Sequence, residues 1–106
     1  MSNTSVDANP PTLQVLTTEL FPFTFEWVDL IGIGSTVSTP SAHMYDNSNG
    51  IETPNAFNNN YGANGTQAQY IIQGSYLQAG HDYTAVLIAY VGTQIYKNKV
   101  KVTVPR

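Results

Sequence analysis

Two histidines, His43 and His81, are the side chains of this sequence best suited to metal or proton chemistry, and Asp46 and Asp82 lie near them in the chain. Imidazole and carboxylate together can hold a zinc ion, but built metal sites bring their ligands in at short, fixed spacings, and no such spacing occurs here. We therefore expect no metal and no cofactor, and read His81 as part of a turn. Glu26 and Asp29 are three residues apart, which on a strand sets them on opposite faces and prevents them from working as an acid and base pair. The serines have no histidine relay, and Gly32-x-Gly34 alone does not make a phosphate loop. No catalytic residue is assigned, and the chain reads as something other than an enzyme.

Two further patterns invite a binding chemistry. Asn3-Thr4-Ser5 and Asn64-Gly65-Thr66 match the glycosylation acceptor pattern, but such matches are expected in an Asn-rich chain without an export signal. Tyr61, Tyr70, Tyr76 and Tyr90 could form a sugar platform of the kind that lectin sandwiches carry, although aromatic residues in strands more commonly serve packing.

The elements that must position these residues are bounded by length and composition. A chain of 106 residues supports one core, burying roughly two-thirds of its unfolded surface. With 42% apolar and 11% aromatic residues it should fold even though only 10% of the residues are charged. There is no cysteine, which excludes disulfides and thiolate sites and leaves the redox compartment open. No run approaches the about 18 apolar residues of a membrane span, and MSNTSVDANPPT lacks the basic and apolar segments of a secretory signal. The expectation is a soluble protein made in a cytosol. The formal net charge is -3, and it is unevenly placed: Lys97, Lys99, Lys101 and Arg106 are the only basic residues, whereas every acidic residue lies at or before Asp82. A nucleic-acid binder usually carries more positive charge than this, so neither nucleic acid nor membrane is expected as a partner.

Along the chain the period is two. Residues 1–11 are polar and end in Pro10-Pro11, which predicts an extended N-terminal arm ahead of a single domain over residues 12–106. Phe21, Phe23, Phe25 and Trp27 fall on one face of a strand, which must be core. A short strand is expected over residues 35–39, before Pro40, and residues 46–66 read as a long loop, or a pair of loops around a short strand. Residues 67–73 read as a strand, and residues 83–90 and 95–104 as a hairpin turning at Gly92-Thr93. Leu77-x-x-Gly80-x-x-Tyr83 ahead of that hairpin is the trace of a tyrosine corner, in which the phenol hydroxyl bonds to upstream backbone. No segment has helix period with start and stop signals. We predict an all-β, Ig-like antiparallel sandwich of about seven strands.

The hairpin poses the functional question. A turn at Gly92-Thr93 sets Tyr83, Ala85, Leu87 and Ala89 opposite Val102, Val100, Asn98 and Tyr96, and the corner tyrosine assigns that face to the core. The other face then carries Val86, Ile88, Tyr90 and Ile95 beside Lys97, Lys99 and Lys101. In a solitary sandwich it should meet water, yet it is apolar enough to mark an interaction site. Three readings remain open: a strand, loop or arm of the same chain covers it, a neighbouring subunit covers it, or a slip of one residue exchanges the two faces.

The arrangement FTFEWVDLIGIGSTVSTPS, then an Asn- and Gly-rich insert containing NGIE, then YIIQGSYLQAGHDYTAVLIAYVGTQIYKNKVKVTV resembles small tailed-phage virion proteins of the fiber-tail adaptor or head-tail connector type. Trp27, Leu30, Gly34, Gly80 and Tyr83 occupy the positions that carry the likeness, which covers about residues 20–104. The sequence departs from the pattern where a double glycine often precedes the corner, keeping only Gly74, and in the short turn of its last hairpin. The resemblance implies a structural component of a virion, made in the host cytoplasm, with copies of itself and other virion proteins as partners. It leaves a capsid decoration protein as one alternative, and a carbohydrate-binding module for host-surface attachment as another.

Overall fold

The computed structural model describes residues 5–6 and 12–106. Among the described residues eight strands build two sheets. They are β1 (Ser5–Val6), β2 (Thr12–Gln14), β3 (Leu20–Glu26), β4 (Ser38–Asp46), β5 (Phe57–Asn64), β6 (Gln67–Gln73), β7 (Asp82–Val91) and β8 (Gln94–Thr103). One sheet has the order β1-β3-β6-β5 and the other β2-β8-β7-β4. This is the division of an Ig constant-type sandwich, with β2 added outside the last strand of the second sheet. The inner pairings are antiparallel. The two short edge strands run parallel to their neighbours, β1 to β3 and β2 to β8, so the leading segment contributes one strand to each sheet. The expected arm falls largely outside the described residues; Ser5 and Val6 pair with Thr24 and Phe25 of β3.

Alternation sets the core. Phe23 and Phe25 of β3 and Trp27 just beyond it are buried, and Phe21 packs half-buried at the margin. Across the sandwich they meet Ala85, Leu87, Val100 and Val102 in a single buried cluster. Phe25 and Trp27 make an edge-to-face pair with ring centroids 4.8 Å apart, the preferred arrangement for two quadrupoles and worth about 0.5–1.5 kcal/mol beyond area burial. Tyr70 ties the sheets together: its ring stacks on Phe23 at 5.5 Å, and its hydroxyl donates to the Ile88 carbonyl at 3.1 Å. Trp27 Nε1 is buried and has no hydrogen-bond partner among the described residues.

The structure corrects or decides the sequence expectation in three places. The strand expected over residues 35–39 is the nine-residue β4, which continues through Pro40. Proline is tolerated because β4 is an edge strand and its register shifts between Ser38 and Ser41. Of the two readings of residues 46–66, loops around a strand is the one found: the strand is the eight-residue β5, an edge strand whose pairing with β6 is broken between Asn58 and Gly62. A single helical turn, α1 (Val28–Ile31), follows Trp27. Glu26 begins it by accepting the Val28 N–H at 3.1 Å.

Candidate interaction face

The face in question is set by the hairpin register. Tyr83 pairs with Val102, Ala85 with Val100, Leu87 with Asn98 and Ala89 with Tyr96, and the four β7 residues are all buried. Gly92 turns the chain at φ 62°, a left-handed value that glycine adopts without the Cβ penalty. The corner is also formed: the Gln78 N–H donates to the Tyr83 hydroxyl at 2.8 Å. Burial pushes the Tyr83 phenol above its ordinary pKa, although the hydrogen bond from Gln78 acts the other way. Gly80 stands at φ 83° in the turn between them. Its backbone N–H donates to the Val104 carbonyl, fastening the corner to the end of the last strand.

With this register, Val86, Ile88 and Tyr90 of β7 look outward and are half-buried, while Ile95 of β8 is 53% exposed. Lys97, Lys99 and Lys101 are exposed and share the face; Ile88 is in register with Lys97 and Val86 with Lys99. On the other flank β4 sets Ser41 beside Ile88 and His43 beside Val86. The described strands form two sheets, so among the described residues no third layer of strands covers this surface. The half-burial of the β7 side chains has a local cause, since a central strand is shielded on both sides by its neighbours and lysine stems lie along apolar surface. Sequence reasoning missed a second apolar group, Leu16, Leu20 and Tyr76, all about half exposed or more. It gathers where Gly74 N–H donates to the Glu19 carbonyl, a junction that periodicity does not reveal.

The two histidines lie in separate pairs, each with one carboxylate. His81 Nδ1 meets Asp46 Oδ2 at 2.8 Å, and His43 Nδ1 meets Glu52 Oε2 at 2.7 Å. Asp82 is exposed at the start of β7 and belongs to neither pair. Among the described residues no group of three or more histidines and carboxylates could hold a metal ion. Burial would raise the Asp46 carboxyl, but hydrogen bonds from the Ser48 N–H, from His81 and from the Ser48 hydroxyl hold it below its ordinary value. Glu26 accepts from Gln67 Nε2 at 3.1 Å as well as from Val28, so its carboxylate is engaged in shaping the turn, while Asp29 is exposed on α1. The four tyrosines do not form a platform. Tyr70 is fully buried, Tyr61 packs edge-on against it at 5.7 Å, Tyr76 ends the 3₁₀ turn Gly74–Tyr76, and Tyr90 is on the opposite sheet. No known protein family and no curated protein matches the chain.

Proposed function

We propose that this chain is a non-enzymatic structural protein of a phage virion, a neck or tail adaptor that meets neighbouring subunits through the outer face of the β7–β8 hairpin and through its N-terminal arm. The observation that carries the reading is the outward strip of half-buried Val86, Ile88 and Tyr90 with exposed Ile95, alongside three exposed lysines, over which no other described strand lies. Removing that strip from water contributes about 25 cal/mol per Å² of apolar surface, partly offset by the costs of association and side-chain ordering. The virion setting is supported by the sequence resemblance, which Trp27, Leu30, Gly34, Gly80 and Tyr83 carry.

Ile88→Asp tests the reading. An aspartate at this half-buried, outward position keeps its carboxylate near water in the lone domain but strands it in a dry interface. The expected outcome is an unchanged near-UV spectrum and a stability loss within about 1 kcal/mol, together with loss of the chain from purified particles as read by mass spectrometry. Collapse of the isolated domain would instead assign Ile88 to its own core and remove the proposal.

A further inference from the structure

The outer face of the β2-β8-β7-β4 sheet is polarised across its strands. β8 presents Lys97, Lys99 and Lys101; β7 presents Ile88 and Val86; and β4 presents His43, whose Nδ1 holds Glu52 at 2.7 Å. Lys99, Val86 and His43 stand in one row, since Val86 is in register with both of its neighbours. Glu52 comes to the same flank through its bridge to Tyr45. Across the face the order is therefore basic on β8, apolar on β7 with Asp82 at its start, and beside β4 a single carboxylate, Glu52, held by His43.

We propose that this face pairs with the same face of a second copy, around a two-fold axis running along β7. The inference rests on the assembly role above and names its partner. Two sheets of this kind can meet face to face around an axis along the strands or around one across them. An axis across the strands lays β8 on β8 and sets lysines against lysines. An axis along β7 exchanges β8 with β4, so that Lys99 of each copy falls opposite the His43–Glu52 pair of the other, and Val86, Ile88 and Tyr90 meet their own counterparts. Like charges set in register disfavour the first arrangement and opposite charges favour the second. Size allows a weak, reversible pair. β8, β7 and β4 are 10, 10 and 9 residues long. At about 3.3 Å per residue and about 4.8 Å between strands they offer at most roughly 500 Å² per copy, so the pair buries at most about 1,000 Å², the size of a weak, concentration-dependent association.

The chain contains no cysteine, so a single introduced thiol reports one position only. Ile88→Cys is expected to give a covalent dimer with a bis-maleimide of about 10 Å reach, the spacing of face-to-face sheets. Gln69→Cys, exposed on the other sheet, should give none. Lys99→Glu should weaken dimerisation in sedimentation roughly tenfold, because symmetry repeats the lost contact, and mixing it with Glu52→Lys should restore the dimer. If Ile88→Cys misfolds, Tyr90→Cys on the same face replaces it with the same expected result. Dimers that cross-link through residue 69 instead, or no rescue on mixing the charge-reversed chains, would overturn the two-fold pairing. A wild type that stays monomeric at every concentration, while Ile88→Asp is still excluded from particles, would overturn self-pairing and leave the assembly role intact. Normal entry of Ile88→Asp into particles would remove both.

Discussion

Tyr83 and Asp46 show how single residues hold the corner from which the hairpin starts. The Tyr83 hydroxyl receives the Gln78 N–H at 2.8 Å, and phenylalanine there would leave that donor without its partner. Tyr83→Phe should cost about 1–2 kcal/mol, visible as a lower urea midpoint at unchanged slope. Asp46 accepts from Ser48 and His81, which keep its folded pKa below the ordinary value. A depressed carboxyl stabilises the fold fully above its unfolded pKa, about 3.9 for aspartate, and that contribution is lost as pH falls through the lower folded pKa. Asp46→Asn should therefore be less stable at neutral pH and should lose less stability than the wild type on acidification below about pH 4; denaturation at several pH values checks this. The corner was legible because Leu-x-x-Gly-x-x-Tyr is a local signature. The His81–Asp46 pair was not, since its members are 35 residues apart and meet only because β4 pairs Asp46 with Tyr83.

At the scale of elements, legibility followed local period. β6 coincides with the expected strand over residues 67–73, and the hairpin strands differ from expectation by a residue or so at their ends, because alternation there is uninterrupted and bounded by turn residues. The bounds and lengths of β4 and β5 escaped because each is an edge strand with a break in register. Pro40 and the run Asn58-Asn59-Asn60 oppose strand formation locally, and pairing with β7 and β6 overrides them. The junction before the 3₁₀ turn Gly74–Tyr76 is equally non-local: a Cβ on Gly74 would collide with the carbonyl oxygens of Leu16 and Glu19. Both obstacles are backbone atoms, and the Gly74 N–H is also committed to Glu19, so neither side can give way cheaply. Gly74→Ala should destabilise by roughly 2 kcal/mol or more, read as a fall in melting temperature.

For the whole molecule, the Ig-like sandwich was readable from strand count, turn spacing and the corner. The parallel pairings of β1 and β2 were not, because a polar leading segment carries no sign of which neighbour it will choose. That the same short lead serves two sheets has a consequence for how copies can be joined. Deleting residues 1–14 unzips β3 and β8 together, leaving each with a bare row of amide and carbonyl groups ready to recruit another strand. The clipped protein should melt earlier and form larger species on light scattering, and a synthetic peptide spanning residues 1–14, added in trans, should reverse both. One molecule's lead could then lace its neighbour, turning a lone domain into a link of a chain.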